Sequence, residues 1–326
     1  MIFNLSDNFL EKKELEGVVD NPLPQFPNFL IPGAGKSGTS VICNFLNQHP
    51  DVFVCDPKEP CFFAFEGAPP SYTNEQIFNR SVIHDLQKYL ALFPETGKYR
   101  AVGDASTYYL LLEERSIANI KLHIESYRDI RIILILRNPV DRAFSNYSMF
   151  RMNNVETLEF EDAISPEVIE RRKLQGYGPS FDYLEEGLYY RRVKAYVDAF
   201  PHIRVYLYED LMADAKGLMA DIYSFLGVDA GFVPDINRRI NVSGSPRSKF
   251  VKNVLTTDNS IRRILRKTVI PLLNENFSFR LRGWIDTINH KRIPMQKETR
   301  QRLVEYYRAD VRRLSELIGR DLAHWR

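Results

Sequence analysis

The sequence predicts an α/β fold, a central parallel sheet with helices on both faces, and three observations carry that prediction. The run IRIILILR, residues 130–137, is apolar almost throughout, the pattern of a strand buried on both faces of a parallel sheet. Strand-like and helix-like segments alternate along the chain, as they do when each strand returns through a crossover helix. A glycine-rich turn within FLIPGAGKSGTS joins the first apolar run to the first helical pattern, and ligands gather at such strand ends in open α/β sheets.

Taken in order, residues 1–26 are polar and then proline-marked (Pro22, Pro24), and they read as a lead-in segment. Residues 27–326 read as a single domain, with an α/β core over 27–235 and a basic loop plus helical extension over 236–326. NFLIPG is a buried strand, and SGTSVICNFLNQHP is a helix presenting Val41, Phe45 and Leu46 on one face. Pro50 ends it, and VFVC forms a short second strand. After the strand at 130–137, Asn138 suits a helix N-cap and Pro139 the first helical turn. A long helix is expected from Tyr183 to Phe200. HIRVYLYEDL then gives a strand and DAKGLMADIYSFLGV a further helix. Beyond residue 236 loops and helices are expected, without a strong strand.

The chain of 326 residues is 44% hydrophobic and 26% charged, which suits a soluble globular protein with a sizeable core. A net charge of +2 gives no overall bias toward nucleic acid. From Arg238 onward basic residues outnumber acidic ones, as at Arg262, Arg263, Arg266 and Lys267. That surplus is either a solvated helix surface or a basic wall facing an anion. The three cysteines, Cys43, Cys55 and Cys61, form no CxxC pair and no metal-ligand pattern. They fit a reducing compartment. The N-terminal stretch lacks the build of a secretory signal, and no apolar run reaches the roughly 18 residues that span a bilayer. A cytoplasmic location is the expectation.

The first loop has the makings of an anion site. Unpaired N–H groups at a helix start and the helix dipole favour negative charge. Gly33, Gly35 and Gly38 let the backbone approach a phosphate, Lys36 adds a full charge, and Ser37, Thr39 and Ser40 add hydroxyls. A triphosphate-wrapping loop would need one more glycine, five residues before Gly35, where Leu30 stands. Of acidic strand ends that could hold Mg²⁺, Asp104 after AVG is the nearest candidate. The loop is therefore expected to bind phosphate without hydrolysing ATP. A second junction, RNPVDRAFSNY (137–147), puts Arg137 at a strand end, with Arg142, Ser145 and Met149 on one face of the following helix. Spacing alone leaves Ser145 a packing or surface serine.

Together these motifs resemble the sulfotransferases that use 3′-phosphoadenosine-5′-phosphosulfate (PAPS), in a bacterial-type member nearest the glycan and heparan sulfate branch. The family's Lys-x-Gly-Thr-Ser/Thr loop is matched by Lys36 to Ser40, and its Arg-Asn/Asp-Pro-x-x-Arg-Ala-x-Ser-x-Tyr motif by Arg137 to Tyr147. The later YLEEGLYYRRVKAYVDAFP, VYLYEDL and FLGV look like its back half. The resemblance implies a P-loop-like fold and PAPS as co-substrate, with no metal required. It implies that Lys36, Ser37, Gly38, Thr39 and Ser40 hold the 5′-phosphosulfate, and that Arg137 and Ser145 grip the 3′-phosphate. RRINVSGSPRS (238–248) resembles a late loop that covers PAPS, which makes Ser243 and Arg247 further candidates; a polar connecting loop is the other reading.

Lys36 would stabilise the leaving phosphate. Glu59, in KEPCFFAF, resembles the catalytic glutamate of the glycan branch, with Phe62 and Phe63 expected to desolvate it. Pairing of Glu59 with Lys58 is the competing reading, and Asp104 is the alternative base. His49 is expected to pack at a helix end. Cys61 stands where the glycan enzymes commonly carry histidine, and Ala105 and Thr107 lie near where they carry lysine and proline. A heparan-like acceptor is therefore not expected; a neutral or lipid-linked sugar or a small hydroxylated metabolite is. The segments 72–100 and 152–177 are expected to supply much of the acceptor pocket. An ATP-dependent nucleotide or sugar kinase and a noncatalytic nucleotide-binding protein remain the alternatives.

Overall fold

The computed structural model describes residues 26–94, 97–153, 155–236, 245–246, 290–291 and 294–325. Its centre is a five-stranded parallel sheet in the order β2-β3-β1-β4-β5: β1 (Phe29–Gly33), β2 (Val52–Val54), β3 (Ala101–Asp104), β4 (Arg131–Leu136) and β5 (His202–Leu207). In register, Phe29 lies opposite both Gly103 and Arg131, and β4 pairs with β5 along its whole length. The chain runs outward from β1 to β2 and back to β3 on one side, then crosses to β4 and β5 on the other. The order therefore reverses at β1, and the loops leaving β1 and β4 open into the crevice where such sheets bind ligands.

Alternation along the strands assigns the two faces. Leu30, Ile132, Leu134 and Leu136 enter one cluster. It is shared with α2 (Phe62–Phe65), α5 (Tyr108–Leu111), α6 (Glu113–His123) and α10 (Tyr189–Ala199). Phe29, Ile31, Ile133 and Ile135 enter the other, shared with α1 (Thr39–Leu46) and α12 (Ala215–Leu226). Helices on both faces satisfy the apolar run that announced β4. Between these elements lie α3 (Gln76–Ser81), α4 (Leu86–Leu90), α7 (Pro139–Met152), α8 (Phe160–Ala163), α9 (Pro166–Leu174) and α11 (Tyr208–Ala213).

At the N-terminus of α7 the Asn138 side chain accepts from the N–H groups of Val140 and Asp141, with Pro139 in the first turn, as its sequence predicts. Two other expectations shift. Helix α1 buries Ile42, Cys43, Phe45 and Leu46, while Val41 is only half-buried, because the buried arc centres on Ile42 and Leu46 and leaves Val41 at its edge. The helix expected from Tyr183 begins at Tyr189. Residues 183–188 instead form a tight turn, and the cap comes from elsewhere: the Asp310 carboxylate accepts from the N–H groups of Tyr189 (2.8 Å) and Tyr190 (3.2 Å).

Past residue 236, a two-residue antiparallel ladder joins β6 (Ser245–Pro246) to β7 (His290–Lys291), and α13 (Lys297–Ile318) packs against α10 and α7. The arginines at 262, 263 and 266, Lys267, and the candidates Ser243 and Arg247 fall outside the described residues. Among the described residues no helix is long and apolar enough to cross a membrane.

Candidate functional site

The loop leaving β1 is built around backbone that needs glycine. Gly38 has φ +92°, and a Cβ there would come within 2.9 Å of Leu211. A Cβ on Gly35 would meet a carboxylate oxygen of Glu186 at 2.6 Å. Lys36 itself sits in the left-handed region at φ +68°, a conformation that costs a non-glycine residue free energy and is retained where geometry demands it. The first N–H groups of α1 have no carbonyl partner within their own helix, so they point positive potential into the crevice.

The two motifs meet here. The Arg137 guanidinium donates to the Lys36 carbonyl (3.1 Å) and lies over the Tyr208 ring (4.7 Å). The Lys36 ammonium lies 3.3 Å from the sulfur of Met149. Ser145 is one helical turn before Met149 and half-buried, so it shares the face of α7 that meets Lys36. Burial, and then the charge of Arg137, hold the Lys36 ammonium below its usual range, with Glu186 and Glu59 pulling the other way.

One member of the expected set has its side chain placed differently, and an arginine of the second motif is turned inward as well. Ser37 is fully buried, its hydroxyl oxygen shut off from solvent, so it is not one of the exposed donors its position suggested. Arg142 does not face a ligand either. It is wholly buried, donates to the Tyr183 carbonyl and pairs with Glu186 at 2.7 Å.

Across the crevice, Glu59 follows β2 with φ +63°. Lys58 pairs with one of its oxygens (2.7 Å) and reaches the Thr39 hydroxyl (3.5 Å), while the Thr107 hydroxyl donates to the other (3.2 Å). Burial disfavours the Lys58 charge, but Glu59 outweighs it and holds the ammonium above its usual range. The pairing of Glu59 with Lys58 is thus present, and it lies within the site because Lys58 also touches α1. The expected desolvation by Phe62 and Phe63 has a different outcome. Both rings are buried in the core, where Phe62 stacks on Tyr89 (4.4 Å) and Phe63 packs on Tyr109 (5.5 Å).

Asp104 also ends a strand, yet it is fully buried. It accepts from the hydroxyls of Tyr89 (2.9 Å), Tyr109 (2.5 Å) and Ser106 (2.7 Å). Burial pushes its carboxyl up to about 6, the three donors pulling it down. Ser106 in turn accepts from the Cys61 N–H (3.1 Å), so Asp104 supports the turn that carries Glu59. Cys61 and Ala105 are buried, and His49 packs between Tyr223 and Phe232 with its ring bonded to the Asp229 carbonyl (3.1 Å).

Lys36, Lys58 and Arg137 thus gather with Glu59 at a crevice lined by helix N–H groups, while the charge of Glu186 is met by the buried Arg142 behind it. A cradle with surplus positive charge, turned through a glycine at φ +92° that a side chain would strain, suits a phosphorylated ligand. Sequence reasoning missed Lys58 as a bridge to α1, and it missed Glu186. The second had no local signal, since only the fold brings it to Gly35.

This is an α/β anion-binding fold with its site at the point where the strand order reverses. Residues 27–232 match the sulfotransferase family, and the chain belongs to it. It is 26% identical over 214 residues to human heparan sulfate glucosamine 3-O-sulfotransferase 3A1, covering 65% of this chain and 47% of that protein. To human heparan sulfate glucosamine 3-O-sulfotransferase 6 it is 28% identical over 209 residues, covering 63% of this chain and 53% of that protein. The chain therefore spans about half the length of the curated relatives it matches. A solved sulfotransferase from Alicyclobacillus acidocaldarius superposes with a TM-score of 0.69 at 31% identity, over 92% of this chain and 99% of that one.

Proposed function

We propose that this protein transfers a sulfuryl group from PAPS to a hydroxyl of a carbohydrate or small hydroxylated metabolite. The single observation that carries this reading is the convergence of Lys36 and Arg137, from two separate motifs, on one crevice that Glu59 faces from the other side.

Residues of the first loop and of α7 divide the nucleotide between them. The first N–H groups of α1, the Lys36 ammonium and the hydroxyls of Thr39 and Ser40 hold the 5′ end, while Arg137 and Ser145 hold the 3′-phosphate. Glu59 accepts the proton of the acceptor hydroxyl as its oxygen bonds to sulfur. The bond from sulfur to the bridging phosphate oxygen breaks, and Lys36 neutralises the charge left on that oxygen. The products are a sulfate ester and 3′-phosphoadenosine 5′-phosphate, and every proton and charge is handled by these side chains. Thr107 and Lys58 hold the Glu59 carboxylate in place while it acts.

An uncharged acceptor is favoured. Cys61 and Ala105 are buried and carry no cation, so neither offers a charge to an anionic polysaccharide. A reducing compartment is the setting we propose, supported by three buried, unbridged cysteines.

The test is transfer of radiolabelled sulfate from PAPS, in EDTA, to a panel of neutral sugars, glycolipids and small alcohols, with heparan sulfate as comparator. Label appearing on a neutral hydroxyl compound supports the reading. Label confined to heparan sulfate would remove the acceptor class, and no transfer without Mg²⁺ alongside phosphate transfer from ATP would replace the enzyme by a kinase.

A further inference from the structure

Helix α13 lies beyond the segment that matches the family, and it reaches the anion site through the buried Tyr307 and the half-buried Asp310. The Tyr307 hydroxyl, on a residue 1% exposed, donates to the Leu184 carbonyl (2.9 Å). It also packs so closely on Gly187 that a Cβ there would come within 2.8 Å. That contact fixes both ends of the turn Glu185–Gly187, which aims Glu186 at Arg142 and Gly35. One turn further along α13, Asp310 accepts from the N–H groups of Tyr189 and Tyr190. Arg313 lies over the Tyr190 ring at 3.9 Å. The Tyr189 hydroxyl then donates to the Arg137 carbonyl (3.0 Å).

We propose that Tyr307 and Asp310 are positioning residues for the anion site, Tyr307 through Glu186 to the loop at Gly35 and Asp310 through Tyr189 to Arg137. Tyr307 packs in the core beside Leu303 and Val140, as Leu314 does in the neighbouring cluster, and such contact by itself would only stabilise α13. The polar atoms of Tyr307 and Asp310 go further, onto the two backbone segments that present the site. Asp310 in addition supplies the cap that residues 183–188 lack, which is why α10 starts at Tyr189 and not earlier. The role as stated rests on the donor-binding reading for its effect on catalysis, though not for its effect on the free loop.

Two readouts on the full-length protein test it, with Tyr307→Phe, Asp310→Asn and Leu314→Ala as the control for general loosening of α13. The first is amide hydrogen exchange of the ligand-free protein. Tyr307→Phe is expected to raise exchange at residues 184–188 and 35–39, and Asp310→Asn at 189–191 and 137–138. Leu314→Ala should raise it along α13 without that pattern. The second is affinity for 3′-phosphoadenosine 5′-phosphate, expected to weaken about tenfold in both variants, the worth of one well-placed hydrogen bond. Exchange confined to α13 in all three variants, with affinity unchanged, would overturn the proposal. If the exchange pattern appears but the wild-type protein binds no such nucleotide, the donor reading falls and the positioning role stands.

Discussion

Glu59 and Asp104 sit at the same edge of the sheet, one in the turn after β2 and one at the end of the neighbouring β3. Glu59 keeps about a third of its side chain exposed, paired with Lys58 and donated to by Thr107. Asp104 is sealed among Tyr89, Tyr109 and Ser106, and its two oxygens are taken by their three hydroxyls. A base must reach the proton it removes, and only the first carboxylate opens onto the crevice. The second acts on the first at one remove: Asp104 orients Ser106, Ser106 holds the Cys61 N–H, and that bond steadies a turn with left-handed residues at both Glu59 and Cys61. Two candidates alike in sequence thus separate by environment, and on the proposed function the open carboxylate is assigned the chemistry and the sealed one the support.

Glu59 is where a substitution is expected to have the largest effect. Glu59→Gln keeps the shape and removes the base, so kcat is expected to fall by roughly 10²- to 10⁴-fold with nucleotide affinity nearly unchanged. A fall of that size in Asp104→Asn, with little effect in Glu59→Gln, would reverse the assignment. Next in size is Lys36→Ala, expected to lower kcat by about 10²- to 10³-fold, as for loss of one donor to a developing oxyanion. A change in KM alone would mean that Lys36 binds without stabilising the leaving group.

The contrast sharpens in the pH dependence of stability. Burial raises the folded-state Asp104 carboxyl from 3.8 to about 6. Between those values the folded chain holds a proton that the unfolded chain has lost, so stability falls as pH rises through the window. The wild-type protein is expected to lose on the order of 3 kcal/mol across it from this group, and Asp104→Asn should flatten the slope in denaturant titrations at a series of pH values. An unchanged slope would mean Asp104 is not the buried acid described here. Smallest is Ser106→Ala, which leaves the Cys61 N–H without its partner and should cost about 1–3 kcal/mol, read as a lower midpoint in urea with a modest drop in kcat.

Much of this was legible before any coordinates. The β4 run, the Asn138-Pro139 helix start and the glycine loop are local patterns whose physics is local, and they appear where the sequence puts them. The site was legible as two motifs, because each motif sits on its own strand-to-helix junction. What could not be read were partners supplied by distant segments: Glu186 against Gly35, Asp310 capping α10, and the hydroxyls around Asp104. Two adjacent phenylalanines likewise do not say which way they point, and Phe62 and Phe63 turned to the core on a four-residue helix whose residues are all buried. The direction of the Ser37 hydroxyl was hidden for the same reason, since a hydroxyl in a donor-rich loop can as easily face inward.

On the proposed function, one crevice holds a nucleotide by both of its phosphate ends. Calorimetric titration of the purified protein with 3′-phosphoadenosine 5′-phosphate in EDTA, beside ADP and 5′-AMP and with Arg137→Ala as control, tests that claim most directly. The prediction is binding that requires the 3′-phosphate and weakens by about ten- to a hundredfold in the variant, the worth of a charge-assisted hydrogen bond. Equal affinity for ADP, appearing only when Mg²⁺ is added and indifferent to Arg137, would contradict it.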